Sequence, residues 1–115
     1  MEKKFKVVTL IGSTKFKDYF IRGQEILTLK GSIVLSPCIF SHADPNNKIK
    51  ITEDVEQMLD DMGKQRIDMA DCVVVINPGN YIGDNTLREI EYAKSKGKNI
   101  QYLQTYIDIV KENDL

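Results

Sequence analysis

Residues 73–93 read VVVINPGNYIGDNTLREIEYA, and this stretch decides the fold. Its first four residues form an unbroken β-branched run, which is typical of a strand covered on both faces of a parallel sheet. The loop that follows is interrupted by residues that break regular structure: Pro78, Gly79 and Gly83. Apolar residues then recur at helical spacing: Leu87, Ile90 and Ala93. The stretch predicts a strand, a loop and a helix, and open α/β sheets bind ligands at such loops.

Composition limits the class of protein. The chain has 115 residues, 42% apolar and 29% charged, with a formal net charge of -1, which is typical of one globular domain over residues 1–115. Acidic and basic residues are interspersed, so we expect no binding to nucleic acid polymers or membranes. No apolar run reaches the length of a membrane span and no signal-peptide pattern begins the chain, which favours a cytoplasmic location.

Cysteine and histidine usage argues against a metal site. Cys38 and Cys72 lack metal-binding or redox spacing, and we expect both to be reduced thiols. His42 is the single histidine, which excludes a multi-histidine zinc site within one chain. We therefore expect no metal centre.

The remaining pattern predicts three more strands, at residues 5–11, 32–36 and 99–103, and further helices between them. One helix follows the first strand and presents one inner face: Phe16, Tyr19, Phe20, Gly23, Ile26, Leu27 and Lys30. Another is capped by Thr52 and carries a second inner stripe: Val55, Met58, Leu59, Met62, Arg66 and Met69. Gly63 interrupts this helix or weakens it. Residues 105–111 are expected to add a last helical turn or two.

Strands that alternate with amphipathic helices predict an α/β three-layer sandwich. We expect a four- to five-stranded parallel sheet in the flavodoxin-like or Rossmann-like order 2-1-3-4, with right-handed crossovers. The order reverses between the first and third strands, where residues 12–14 (Gly-Ser-Thr) and 77–79 (Asn-Pro-Gly) meet. Two helix N-termini also point there, and their free N–H groups favour an anionic or polyhydroxyl ligand.

The first of these loops resembles a truncated phosphate-binding loop. Residues 12–15 read GSTK but lack the first glycine and the ending of a Walker loop, so nucleoside triphosphate hydrolysis is excluded. A turn whose amides face a ligand and a plain strand-to-helix connection both remain open.

Residues 37–51 match neither the helical nor the strand period, and we interpret them as an irregular loop over the mouth of the sheet. The loop contains His42 and Asp44. His42 is either an exposed side chain or a ligand contact.

Glu89 and Asp84 each have two interpretations. The sequence Thr86-Leu87-Arg88-Glu89 matches a capping box, in which Glu89 bonds back to the helix cap. Alternatively, the Glu89 carboxylate reaches a ligand in the crevice. Asp84 either caps the helix or binds sugar hydroxyls.

Tyr81 and Arg66 also have two interpretations each. Tyr81 stacks on a flat base or packs locally. Arg66 falls on an inner helix stripe, where a bare cation is costly. It therefore extends its charge to solvent, or meets a carboxylate such as Asp68, Asp71 or a substrate group.

Three segments together resemble the nucleoside 2-deoxyribosyltransferase superfamily, in particular its short bacterial and phage-type members. They are residues 8–17 (VTLIGSTKFK), 67–71 (IDMAD) and 81–93 (YIGDNTLREIEYA). The resemblance covers most of the chain. It departs from the family pattern at Gly83, Asn85 and Glu91, and it has Gly63 and Lys64 where the family's base-handling aspartate falls.

The resemblance implies that Glu89 attacks the anomeric carbon of a deoxyribonucleoside and forms a covalent intermediate, as a retaining glycosidase does. It also implies a homodimer or larger homo-oligomer whose partner subunit completes the pocket. This chemistry needs no metal and no organic cofactor.

From the residues and the resemblance together, we expect transfer or hydrolysis of a nucleoside or nucleotide N-glycosidic bond. Glu89 and Asp84 are the expected catalytic residues. The expected substrate-binding residues lie on the two loops: Gly12, Ser13, Thr14, Phe16, Asn77, Gly79, Tyr81 and Gly83. The alternatives are a non-catalytic nucleotide sensor that uses the same pocket, and an interaction module whose crevice is vestigial.

Overall fold

A computed structural model of the chain describes residues 2, 4–40, 46 and 49–103. Within them, four strands alternate with three helices: β1 (Val7–Gly12), α1 (Lys17–Leu29), β2 (Ile33–Leu35), α2 (Glu53–Asp68), β3 (Cys72–Ile76), α3 (Asp84–Ser95) and β4 (Asn99–Tyr102). Short 3-10 turns at Thr14–Phe16 and Pro78–Asn80 follow β1 and β3. His42, Asp44 and the predicted turn at 105–111 lie outside the described residues.

The four strands form one parallel sheet in the order β2-β1-β3-β4. This confirms the predicted α/β class and flavodoxin-like order. β1 and β3 lie side by side at the centre, and their last residues, Gly12 and Ile76, are register partners. The loops that leave these two strands therefore start from adjacent positions on one edge of the sheet, which we call the mouth.

Helices cover both faces of the sheet. On one face, Phe20, Ile26 and Leu27 of α1 pack with the alternate strand residues that include Leu10 and Val74. On the other face, α2 and α3 contribute a second cluster with β1 and β3: Ile11, Ile67, Ala70, Val73, Val75, Ile90 and Ala93. β3 is buried along its whole length, as its β-branched run predicts.

The predicted inner stripe of α2 is wrong in part. Its methionines are about half exposed: Met58 50%, Met62 45% and Met69 56%. The buried residues are Gly63 and Ile67, and α2 continues through Gly63 without interruption. Apolar residues lie on two neighbouring rows of this helix, and the row of smaller side chains faces the sheet. On α1, Tyr19 is also exposed, at 46%.

The ends of the elements agree closely with the sequence. Thr52 caps α2 by accepting a hydrogen bond from the Val55 N–H at 3.4 Å. β1 begins at Val7 rather than at residue 5, and β2 has only three residues.

Within the described part of the chain, every helix is too short or too polar to cross a membrane.

Candidate functional site

At the mouth, Gly12 faces the backbone of its register partner, Ile76. Gly12 has φ +148°, and a Cβ placed there would lie 2.6 Å from the backbone oxygen of Ile76. A side chain at this position would therefore push the two strands apart. Glycine is required at Gly12 because of the backbone it faces, independently of any ligand.

Aromatic side chains join the two loops at the mouth. The rings of Phe16 and Tyr81 meet edge to face with centroids 5.7 Å apart. The Lys15 ammonium lies 3.4 Å from the centroid of the Tyr81 ring and 5.2 Å from that of Phe16, which is a favourable cation–π arrangement. The sequence prediction that the loops converge is confirmed. Tyr81 packs locally and remains 45% exposed, so its contact with a base stays a prediction.

Residues 13–14 form a local turn. The Ser13 hydroxyl accepts a hydrogen bond from the Lys15 N–H at 3.4 Å and so caps the 3-10 turn that begins at Thr14. This cap therefore belongs to the short 3-10 turn and not to α1, whose N-cap position is Phe16.

Residues 77–83 have a mixture of anchored and open positions. The buried Asn77 side chain accepts a hydrogen bond from the Leu103 N–H at 3.1 Å, which ties this loop to the end of β4. Its amide oxygen is thus engaged within the protein. Gly79 has φ +62° and no atom within 4 Å of a Cβ placed on it. Gly83 lies beneath the Tyr81 phenol, with a Cβ placed on it 3.5 Å from the Tyr81 oxygen.

The structure rejects the capping-box interpretation of Glu89. α3 begins at Asp84, and its N-cap is Gly83, which makes no side-chain hydrogen bond. Thr86 is therefore inside the first turn of the helix, where it is 3% exposed. The pattern Thr-x-x-Glu is misleading here because the helix starts two residues before it.

Asp84 is the first residue of α3 and is exposed. A carboxylate there is favoured by the partial positive charge at the helix N-terminus. Its predicted role as a side-chain cap is not seen, since the cap position belongs to Gly83. Its predicted contact with the sugar stays a prediction.

Glu89 is directed against α2. A Cβ placed on Gly63 would lie 3.1 Å from Glu89 Oε2 and 3.8 Å from Arg66 Nη2. The carboxyl group and the guanidinium group therefore approach the same gap above Gly63. Glu89 is five residues from the start of α3, about 7.5 Å along the helix axis.

This environment changes the acidity of Glu89. Burial raises its pKa from the usual 4.5 to about 7, because the charged form loses contact with water. The nearby Arg66 opposes the rise and the carboxylate of Asp60 adds to it. A carboxyl group with a pKa near neutrality can be ionised or protonated under physiological conditions, which is a property of catalytic carboxylates.

Sequence reasoning missed the partners of Glu89. It left Arg66 either extended to solvent or beside a carboxylate such as Asp68, Asp71 or a substrate group. Instead, Asp68 accepts a hydrogen bond from the Tyr92 hydroxyl at 2.7 Å, and Asp71 accepts one from the Val7 N–H at 2.8 Å. The signals present in the sequence were a helical glycine one turn before an arginine on the same helix. How these two residues lie relative to Glu89 depends on the rotation of α2 against α3, which the sequence does not specify.

Within residues 4–40 and 49–103, no three His, Cys, Asp or Glu side chains come together as metal ligands would. Comparison of the chain with protein-family models, with curated proteins and with solved structures gave no match.

Proposed function

We propose that the chain transfers or hydrolyses the N-glycosidic bond of a deoxynucleoside or deoxynucleotide, with Glu89 as the nucleophile. The observation that supports this most strongly is the Glu89 carboxyl group in the gap above Gly63, beside Arg66 and with a pKa of about 7. Its second support is the resemblance of residues 81–93 to the nucleoside 2-deoxyribosyltransferase superfamily.

The reaction has two steps. A Glu89 carboxylate oxygen forms a bond to the anomeric carbon while the bond from that carbon to the base breaks. The base leaves with the bonding electron pair and takes up a proton from solvent. Water or a second base then attacks the same carbon and gives a proton back to solvent, while the bond from that carbon to Glu89 breaks and the carboxylate is released. Each step has an oxocarbenium-like transition state that a carboxylate stabilises.

The mouth loops supply the binding surface in this proposal. Backbone amides of residues 12–14 and the open turn at Gly79 contact the sugar or its phosphate. Phe16 and Tyr81 face the base, and Asp84 orients the sugar hydroxyls. The proposal also holds that the chain works in the cytoplasm as a homodimer or larger homo-oligomer, without a metal or organic cofactor. Light scattering at working concentration tests the oligomeric state.

Base release tests the activity directly. The protein is incubated with a panel of deoxynucleosides and their 5′-monophosphates, and free base is measured by chromatography. We expect release by the wild type and loss of release in Glu89→Gln. Glu91→Gln is the matched control, because Glu91 is an exposed glutamate on the same helix, and it should retain the activity.

Three results would contradict the proposal. Undiminished release by Glu89→Gln would remove Glu89 from the chemistry. Thermal stabilisation by a panel member without turnover would support the nucleotide sensor, since a ligand that binds only the native state raises its stability. Neither turnover nor stabilisation would support the interaction module.

A further inference from the structure

Arg66 is held at a fixed place opposite α3. The buried Thr9 hydroxyl of β1 donates a hydrogen bond to the Arg66 backbone oxygen at 2.6 Å. Thr9 is 0% exposed, so this bond anchors the last full turn of α2 to the centre of the sheet. The start of the Arg66 side chain is thereby fixed relative to the strands that form the mouth.

Gly63 leaves the space in which Arg66 and Glu89 approach each other. It lies one helical turn before Arg66, and both the Arg66 guanidinium and the Glu89 carboxyl group come within 4 Å of the same position above it. Asp68 and Asp71, which follow Arg66 in the sequence, accept hydrogen bonds from the Tyr92 hydroxyl and the Val7 N–H. The Arg66 guanidinium is therefore the cation that α2 places at the same gap as the Glu89 carboxyl group.

Among the described residues, further charged groups of α2 and α3 have the following contacts. α2 presents Asp60 and Arg66 to it, while the Lys64 ammonium lies over the Tyr92 ring, 5.8 Å from its centroid. On α3 itself, the Arg88 guanidinium donates to the Asn85 side chain, and the Tyr92 hydroxyl is engaged by Asp68. The described strand residues packed below are apolar apart from Thr9.

We propose that Arg66 is a positioning residue that favours the ionised form of Glu89 and directs its carboxyl group into the gap above Gly63. The catalytic meaning of this proposal rests on the proposed function; the electrostatic relation itself does not. An opposite charge at such a distance favours the ionised carboxyl group, and a like charge disfavours it. Burial disfavours the ionised carboxylate of Glu89, and a protonated carboxyl group is a poor nucleophile.

Carbon-13 NMR titration of the glutamate carboxyl groups tests this relation without any substrate. The Glu89 signal is assigned by its loss in Glu89→Gln. Arg66→Gln should raise the Glu89 pKa by about one unit, so that the ionised fraction at neutral pH falls several-fold. Arg66→Lys should restore most of the wild-type value, and Asp60→Asn should move the pKa in the opposite direction. Arg88→Gln is the matched control on α3 and should leave it unchanged.

The same variants have a kinetic prediction. In Arg66→Gln, the acidic limb of the pH–rate profile should move to higher pH, and Arg66→Lys should move it back. An effect on folding alone would lower the rate at every pH without moving the limb. Circular dichroism tests whether each variant is folded. If Arg66→Gln does not fold, Arg66→Met provides a second neutral variant.

An unchanged Glu89 pKa in Arg66→Gln and Arg66→Met would overturn the inference, as would an equal rise in Arg88→Gln. Failure of the proposed function is a separate result. If the wild type releases no base but the NMR titration shows the predicted shifts, the electrostatic relation stands and the reaction does not.

Discussion

At the scale of single residues, the pKa of Glu89 links the site to folding. A carboxyl group whose pKa is higher in the folded state than in the unfolded state binds its proton more tightly when folded, so stability falls as the pH rises. The loss begins near pH 4.5 and is complete above about pH 7. Below pH 4.5 both states are protonated and Glu89 has no destabilising effect.

Replacing Glu89 by glutamine should therefore stabilise the protein in a pH-dependent way. We expect no difference from wild type at pH 4 and a gain of about 3 kcal/mol at pH 8, since the pKa rises from 4.5 to about 7 and one unit of pKa corresponds to about 1.4 kcal/mol. Urea denaturation at both pH values measures the free energy of unfolding. Glu91→Gln should show no such trend. A difference between Glu89→Gln and wild type that does not change with pH would contradict the environment described for Glu89.

Gly63 provides a second residue-scale prediction. Alanine is favoured over glycine in a helix interior by about 1 kcal/mol. In wild type, however, the added methyl group would lie 3.1 Å from Glu89 Oε2 and displace it. We expect Gly63→Ala to gain about 1 kcal/mol in a Glu89→Ala background and to gain less, or to destabilise, with Glu89 present.

Gly23→Ala is the control for this double-mutant cycle. It also lies within a helix, but its new methyl group would find its nearest neighbours at an ordinary 3.9 Å. Its effect on the free energy of unfolding should be equal in the two backgrounds. If Gly63→Ala and Glu89→Ala were additive, the two residues would not be in contact.

At the scale of elements, the contact between β1 and β3 is the one that least tolerates an added side chain. Gly12→Ala would place a methyl group 2.6 Å from the Ile76 backbone oxygen, and the strands can make room only by separating. We expect a loss of several kcal/mol, because large losses arise from such overpacking and backbone strain. Gly79→Ala is the control: it has positive φ but an open environment, and should lose about 1 kcal/mol. Equal losses would show that φ alone matters at Gly12.

Most elements can be predicted from the sequence because their signals are local. The β-branched run at residues 73–76 predicts β3, and Thr52 predicts the start of α2. The orientation of α2 on the sheet is harder to predict from the sequence. Its methionines and its smaller residues form two adjacent rows, and hydrophobicity favours the methionines, whereas close packing on the sheet selects the row that contains Gly63 and Ile67.

At the scale of the whole molecule, alternation of strands and helices predicts the sheet order and the adjacency of the two mouth loops. The gap above Gly63 is different, because it depends on residues 26 positions apart on separate helices. Neither helix period specifies how α2 and α3 are rotated against each other. The sequence therefore identifies Glu89 as a candidate but not its position beside Gly63 and Arg66.

The central claim is that Glu89 forms a covalent bond to the sugar during turnover. It is tested by mixing the protein with a deoxynucleoside that it cleaves, quenching with acid and analysing the peptides by mass spectrometry. We predict a deoxyribosyl adduct on the peptide that contains Glu89, at the Glu89 side chain, and its absence in Glu89→Gln. Base release without any adduct on Glu89, or with an adduct at another residue, would contradict the account.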